Sequence, residues 1–338
     1  MTEQSKIPLP GSDKGASLFE RAEGAFGSFE GFKPAPVPKD LAPPTNRQVR
    51  KTAKAEVAAE SPLPASTAQS VPAGETRKET VRVAVLPRID FTAQPHPIDR
   101  QRLHEQALIV PSGAVTALVE EFRIVKRQIL LAAREAREEG AASAQRVLVC
   151  SPLPGEGKTF CAANLALSIA GERDSEVVLV DADFAKPSIP ALLGLAVEQG
   201  AKGLMDALTD PALRVEDCVL ATDVPGLYVL PAGNRTATDS EYLASSRTPE
   251  VLDRLTQGAP NRIVIFDSPP ALAATPAAEL AKHCGQALVI CRADRTGQSA
   301  LEDALSLLSA CPDIKLLLNS ANFSPSGRRF GDYYGYGG

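Results

Sequence analysis

The sequence predicts a doubly wound α/β fold with a mostly parallel sheet, and two observations support this prediction. First, short runs of β-branched and other apolar residues alternate along the chain with patterns of helical period. Second, these runs are continuously apolar, as burial on both faces of a parallel sheet requires. The predicted strands lie at residues 146–150, 177–181, 227–230, 263–267, 287–291 and 316–319, and the predicted helices between them near residues 158–170, 249–256, 276–283 and 298–310. In such a sheet, ligands bind outside the carboxyl ends of the strands.

The 338 residues divide by composition into four parts. Thirteen of the 28 prolines lie in the first hundred residues, among small and charged residues, so we expect residues 1–95 to be mostly disordered. One short helix is expected there, over residues 17–26, either as a transient element or as a docking helix for a partner. Residues 96–143 should form a helical lead-in with a long amphipathic helix over 115–142, residues 144–322 the α/β domain, and residues 323–338 a flexible tail.

Charge and hydropathy exclude some functions. A net charge of -5 argues against a protein that coats nucleic acid through bulk positive potential, so we expect no nucleic-acid partner. No apolar run approaches the roughly 18 residues that span a bilayer, and the first residues lack the apolar core of a signal peptide, so a cytoplasmic location is expected. The six cysteines form no CxxC pairs and are expected to be small buried hydrophobes.

The first predicted strand runs directly into a loop that can bind phosphate. The loop SPLPGEGKT, residues 151–159, lies between a buried strand and a helix, so its backbone N–H groups and the helix N-terminus would face an anion. Lys158 would reach the outer phosphates and Thr159 would offer its hydroxyl to Mg²⁺. The strict pattern GxxxxGK[ST] fails only at Pro152, which occupies the first glycine position. The residues expected to bind a nucleotide are Pro154, Gly155, Glu156, Gly157, Lys158, Thr159 and Phe160.

Carboxylates follow two of the predicted strands. Asp181 and Asp183 end the second predicted strand, and Asp267 ends the fourth. A carboxylate after a buried apolar run needs a metal, a cation or water, because an unpaired buried charge is costly. With Lys158, these side chains predict a Mg²⁺-nucleotide site in which Asp267 holds the metal through water, and Asp181 and Asp183 bind metal or take a proton.

These segments resemble a known family. The loop 151–159, the strand end Asp181-Ala182-Asp183 and the strand end at 266–270, FDSPP, are similar to the Walker A, Walker A′ and Walker B motifs of the bacterial tyrosine kinases that control exopolysaccharide and capsule synthesis. The resemblance covers roughly residues 100–338, and residues 120–127, EEFRIVKR, resemble the exosortase-associated subgroup. It implies a P-loop NTPase fold of the MinD-like class, ATP and Mg²⁺ as cofactors, and phosphoryl transfer to tyrosine. Under this hypothesis, Thr159, Asp183 and Asp267 hold Mg²⁺. The resemblance implies that Asp181 orients or deprotonates the incoming tyrosine hydroxyl.

Three of the five tyrosines lie in the last six residues, which read YYGYGG without a packing pattern. A tyrosine cluster on a glycine-rich tether suits a segment that enters an active site. The family resemblance implies that Tyr333, Tyr334 and Tyr336 are autophosphorylated in trans between neighbouring subunits.

The same resemblance implies an oligomer. The family's ring-forming helix carries Glu-x-x-Arg-x-x-Arg, and this chain offers Glu120, Arg123 and Lys126, where lysine cannot form the bidentate pair of the last arginine. An ordinary charged helix face is the alternative. Many relatives need a membrane-embedded polysaccharide co-polymerase as activator, which implies such a partner here and a peripheral position at the inner membrane.

Two other functions remain open from the sequence. MinD and ParA ATPases share the fold and both aspartate motifs, but they carry a signature lysine five residues before the P-loop lysine, where this chain has Leu153. That difference favours the kinase hypothesis over an ATPase that acts by ATP-dependent dimerisation. A catalytically idle scaffold of the polysaccharide machinery is the third possibility.

Overall fold

One sheet carries the α/β domain in the computed structural model, which describes residues 87–198 and 200–321. Its strands are β1 (Arg146–Cys150), β2 (Glu176–Asp181), β3 (Leu220–Ala221), β4 (Leu227–Leu230), β5 (Arg262–Asp267), β6 (Gln286–Arg292) and β7 (Ile314–Asn319). The order across the sheet is β3-β4-β2-β5-β1-β6-β7, and neighbours are parallel except for β3 and β4. The predicted doubly wound, mostly parallel fold is therefore confirmed.

Helices cover both faces of the sheet. They are α1 (Arg100–Glu105), α2 (Ala117–Glu138), α3 (Lys158–Ala170), α4 (Ile189–Leu192), α5 (Leu204–Thr209), α6 (Asp239–Leu243), α7 (Arg247–Thr256), α8 (Pro276–Ala281) and α9 (Gln298–Leu307), with a 3₁₀ turn at Val215–Cys218. Within the described ranges, none of them is both long and apolar enough to cross a bilayer. The short helix expected at 17–26 and the tyrosines of the tail lie outside the described residues.

The central strands are apolar throughout because successive side chains enter two different cores. Leu148, Val180 and Phe266 face the layer formed by α5 to α9, whereas Val149 and Ile265 face the layer of α1 to α3. All six cysteines are buried and free, as the sequence predicts. This two-sided burial aligns the carboxyl ends of β1, β2 and β5 at one edge of the sheet.

Residues 87–95, which precede the boundary predicted at residue 96, are part of the packed domain. Phe91 is buried, its ring lies 4.2 Å from the guanidinium carbon of Arg262, and it meets Tyr228 edge-on at 4.9 Å between ring centres. The Arg262 guanidinium also donates to the carbonyl oxygen of Ile89 at 3.0 Å. Composition misses this segment because its anchors are one aromatic ring and backbone carbonyls.

Helix α2 packs its apolar stripe on α3, with Phe122, Ile129 and Ala133 buried. Lys126 is buried in the same stripe, where its ammonium donates to the carbonyl oxygen of Ser168 at 3.1 Å and lies 2.8 Å from the Glu172 carboxylate. The charged end of Lys126 is thus bound within its own chain.

Candidate functional site

The loop between β1 and α3 has the backbone shape of a phosphate cradle. Gly155 and Gly157 adopt left-handed φ angles of 79° and 96°, which disfavour residues with a side chain. A Cβ atom at Gly157 would overlap the side-chain amide of Asn319 at the end of β7. Helix α3 begins at Lys158, so its N-terminus and the loop N–H groups converge on one side.

Side chains from outside the loop hold it in place. The buried Glu156 carboxylate accepts hydrogen bonds from the Leu153 backbone N–H at 2.8 Å and from the Thr296 hydroxyl. The Asn319 amide donates to the carbonyl oxygen of Glu156 at 2.9 Å, and Arg292 donates to that of Gly155 at 3.3 Å. These contacts tie the loop to the ends of β6 and β7.

Sequence reasoning missed Arg292, Thr296 and Asn319. Asn319 ends a predicted strand, so the rule that singled out the aspartates could have found it, if applied to amides as well as carboxylates. Thr296 lies in the loop after β6 and carries no pattern of its own, because only the fold brings it to Glu156.

Lys158 lies between two of the predicted site residues. Its ammonium is 3.2 Å from the Asp183 carboxylate and 3.4 Å from the Thr159 hydroxyl. Asp183 also accepts a hydrogen bond from the backbone N–H of Lys186 at 3.1 Å, which fixes the direction of its carboxylate. The structure therefore brings the lysine, the hydroxyl and the second of the two aspartates at the end of β2, Asp183, into one cluster.

Asp267 is the least satisfied polar group of the cluster. Its side chain is completely buried, and neither carboxylate oxygen has a hydrogen-bond partner among the residues that the structure describes. Burial raises the pKa of Asp267 to about 7, against the opposing effects of the Lys158 ammonium and of the Thr159 hydroxyl, which lies near the carboxylate but not in hydrogen-bonding geometry. A buried carboxylate with two free oxygens, beside a threonine hydroxyl and a lysine, fits a hard cation that takes oxygen ligands.

Asp181 stands directly beside Asp267, because the two residues are register partners on β2 and β5. One of its oxygens accepts hydrogen bonds from the backbone N–H groups of Ser188 and Ile189 at 2.7 and 2.9 Å. The other oxygen is buried without a partner in residues 87–198 and 200–321. Burial raises the pKa of Asp181 to about 6, although these hydrogen bonds oppose the shift. Asp181 thus anchors the start of α4 with one oxygen and keeps the second one available.

The remaining predicted residues occupy different places. Glu156 faces into the protein as a brace for the loop, Pro154 is exposed at the loop's tip, and Phe160 packs against the core beneath α3. Glu120 pairs with Arg123 on α2, where both side chains are partly exposed. The contact between Lys126 and Ser168 is ten residues along α3 from Lys158, about 15 Å away along the helix.

Comparisons with known proteins agree with this geometry. A family model described as ParA: NUBPL iron-transfer P-loop NTPase matches residues 143–216, which include the loop and the end of β2. The Tyrosine-protein kinase ptk of Acinetobacter johnsonii is 29% identical over 188 residues, covering 56% of this chain and 24% of ptk. The Putative tyrosine-protein kinase EpsB of Ralstonia nicotianae is 35% identical over 164 residues, covering 48% of this chain and 21% of EpsB.

A solved structure, the BceF Tyrosine Kinase Domain, matches 68% of this chain and 93% of its own chain, with 26% identity and a TM-score of 0.50. The chain spans about a quarter or less of the length of ptk and EpsB. The loop 151–159 lies within the segment that matches the P-loop NTPase family model. The resemblance to the bacterial tyrosine-protein kinases that the motifs predicted is confirmed for the P-loop domain of this chain.

Proposed function

We propose that this chain is an ATP-dependent protein-tyrosine kinase that phosphorylates Tyr333, Tyr334 and Tyr336 of a neighbouring copy. The observation that supports it best is the pair of unpartnered oxygens on the buried Asp267 beside Lys158 and Thr159. An unpartnered buried carboxylate lowers the stability of the protein without ligand. The metal ion of a metal-bound triphosphate would supply the missing partner. The similarity to ptk, EpsB and BceF supports tyrosine as the acceptor.

The phosphate groups of ATP would lie on the loop N–H groups and the N-terminus of α3. Lys158 would exchange its contact with Asp183 for the β- and γ-phosphates and neutralise the charge that develops on them. Thr159, Asp183 and Asp267 are the residues that would hold Mg²⁺, directly or through water. When bound there, the ion would supply positive charge that offsets the negative charge of the phosphates.

Asp181 would orient the incoming tyrosine hydroxyl or accept its proton. Its raised pKa of about 6 makes it a better proton acceptor than an ordinary aspartate, while it is still ionised at neutral pH. The hydrogen bonds from Ser188 and Ile189 fix one oxygen, so the acceptor would approach the other one. Proton transfer and phosphoryl transfer would then occur on neighbouring strand ends.

The cellular role is proposed on the family resemblance. It would be the control of exopolysaccharide or capsule synthesis, with a membrane-embedded co-polymerase as activator and a cytoplasmic position beside the inner membrane. A ring would form through α2, where Glu120 and Arg123 are exposed enough to reach a neighbour while Lys126 stabilises the helix from inside. Phosphorylated tails carry several negative charges each and would repel one another, which would loosen the ring.

A dimerising ATPase of the MinD or ParA type is the alternative. At the position of that group's signature lysine, Leu153 has an exposed apolar side chain at the rim of the loop. An apolar group there cannot reach across to a second nucleotide as an ammonium can, which favours the kinase.

The test is incubation of the purified chain with Mg²⁺ and ATP, followed by mass analysis of the C-terminal peptide. Phosphate on the tail is expected for the unaltered chain, and a loss of at least 100-fold is expected for Lys158→Ala. Replacing Tyr333, Tyr334 and Tyr336 together by Phe should abolish incorporation while ATP hydrolysis is kept. Unmodified tails in every sample, even with the activator's cytosolic segment added, would contradict the proposal.

Mixing two chains tests transfer between copies. One chain carries Lys158→Ala and an intact tail, and the other carries an intact site and the three Tyr→Phe changes. Transfer in trans predicts phosphate on the Lys158→Ala chain, whereas transfer within one chain leaves both unmodified.

A further inference from the structure

A groove of about 710 Å³ leads away from the proposed phosphoryl-transfer site. It lies between the segments that follow β2, β4 and β5 at the carboxyl edge of the sheet. Its inner end is formed by Phe184 and Ala185, which come directly after Asp183, and by Pro269, two residues after Asp267. This continuity places the groove where the second substrate of a transfer reaction would enter.

The outer end of the groove carries an excess of negative charge. Asp239, Glu241 and Glu279 line it, and Arg235, which also lines it, pairs with Asp239 at 3.7 Å. Glu241 is exposed, and no basic side chain pairs with it in the described part of the chain. Glu279 lies 2.6 Å from the ammonium of Lys282, which is itself half exposed and free to move into solvent. The groove therefore favours a basic peptide over an acidic one.

The chain contains a segment with the complementary pattern. Arg328 and Arg329 precede Tyr333 by five and four residues in the sequence RRFGDYYGY, residues 328–336. In an extended peptide, four residues span about 13 Å, so arginines at the outer end would place a tyrosine well inside the groove.

We propose that this groove is the docking site of residues 328–336, with Arg328 and Arg329 on the carboxylates of Glu241 and Glu279 and a tyrosine hydroxyl directed towards Lys158 and Asp181. The proposal rests on the proposed kinase function and adds to it the determinant of acceptor choice. The ion pairs would also fix the direction of the peptide in the groove. The two arginines precede the tyrosines, and the two glutamates lie at one end of the groove only. Tyrosine peptides without an upstream basic pair would be poor acceptors.

The experiment uses a synthetic peptide of residues 322–338 as the acceptor. The enzyme is the full chain with Tyr333, Tyr334 and Tyr336 replaced by Phe, so that phosphate can appear only on the peptide. We expect Glu241→Lys with Glu279→Lys to raise KM for the peptide about 3- to 10-fold at low salt, as two exposed ion pairs predict, with little change in kcat. The difference should shrink at high ionic strength. Glu302→Lys with Asp303→Lys, an equal charge change on the exposed face of α9, is the matched control and should leave KM unchanged.

A charge-exchanged peptide makes the test independent of folding. The peptide with Arg328→Glu and Arg329→Glu should show a similarly raised KM with the unaltered groove and a recovered KM with the doubly substituted groove. The docking proposal would be overturned if all four combinations of peptide and groove had the same KM. It would also be overturned if the charge-exchanged peptide kept its raised KM with the doubly substituted groove. The kinase function would stand in both cases. Absence of transfer to any peptide by the unaltered groove would instead contradict the kinase function itself.

Discussion

The two ends of strand β5 hold buried charge in different ways. At the amino-terminal end, the fully buried Arg262 side chain pairs with Glu176 at 2.8 Å, donates to the carbonyl oxygens of Ile89 and Leu255, and covers the ring of Phe91. At the carboxyl-terminal end of the same strand, Asp267 is equally buried, yet neither of its oxygens has a partner in the described residues.

The difference separates stability from function. A buried charge with several partners can contribute to folding, whereas one without partners lowers stability. The cost at Asp267 is understandable only if a ligand provides the missing partners, and the adjacent phosphate loop provides the place for it. The Arg262 end of β5 therefore stabilises the fold, whereas the Asp267 end, in the function proposed above, would gain its missing partners from a charged substrate.

The largest effect on stability is expected from replacing the buried arginine at the amino-terminal end of β5. Arg262→Met should lower the free energy of unfolding by about 3 kcal/mol, because it removes the buried partner of Glu176 and of two carbonyl groups. Arg88 also pairs with Glu176 but is nearly half exposed, so Arg88→Met is the matched control and should cost less than about 1 kcal/mol. Urea denaturation measures both, and equal losses would remove the distinction between the two arginines.

A smaller effect of opposite sign is expected from the pH dependence of the functional end. The pKa of Asp267 is about 7 in the folded chain and about 4 in the unfolded chain, so between these values the unfolded state loses a proton that the folded state keeps. The contribution of Asp267 to stability is thus present below pH 4, falls as the pH rises from 4 to 7, and is lost above pH 7. Asp267→Asn should remove this fall, and the difference in unfolding free energy between wild type and variant should change by on the order of 1–3 kcal/mol across this window.

Asp206 is the control carboxylate for that measurement. It is also shielded from solvent, although less deeply than Asp267, and hydrogen bonds from Asn234, Gly203 and Lys202 outweigh the effect of burial and lower its pKa. Its contribution is therefore present at neutral pH and is lost as the pH falls below its ordinary pKa. Asp206→Asn should lower stability at pH 8, and the same sign for both variants would contradict the comparison.

The smallest effect concerns the brace of the phosphate loop. Thr296→Val removes the hydroxyl that donates to Glu156, so the loop must be ordered by the nucleotide itself. We expect the affinity for ATP to fall by about 3- to 10-fold, as the loss of one hydrogen bond to a charged group predicts. Thr256→Val, which removes a hydroxyl bond on the exposed side of α7, should leave ATP affinity unchanged in a fluorescence titration.

The sequence predicted the long elements and the residues that follow them. Strands β1 and β4 and helix α3 begin and end where the apolar runs and the loop glycines place them, and Lys158, Asp183 and Asp267 converge as expected. Such elements carry their own signal, because burial on two faces requires an uninterrupted apolar run.

The short elements could not be predicted in the same way. The two-residue strand β3 and the four-residue helix α4 are shorter than a helical or strand period can reveal, and α4 depends on the Asp181 carboxylate for the N–H groups at its start. Likewise, the role of Lys126 inside the chain follows from its contact with Ser168, which is 42 residues away in sequence. These features arise from tertiary contacts that no local pattern records.

The most direct test of the central claim is the stability of Asp267→Asn relative to wild type at pH 8, measured by chemical denaturation with and without Mg²⁺ and ATP. Without ligand, the variant should be the more stable protein, because it lacks an unpartnered buried charge. With ligand, the order should reverse, because only the wild type gains a partner for that charge. A variant that is less stable than wild type under both conditions would show that Asp267 supports the fold, and would contradict the assignment of this carboxylate to a metal-nucleotide site.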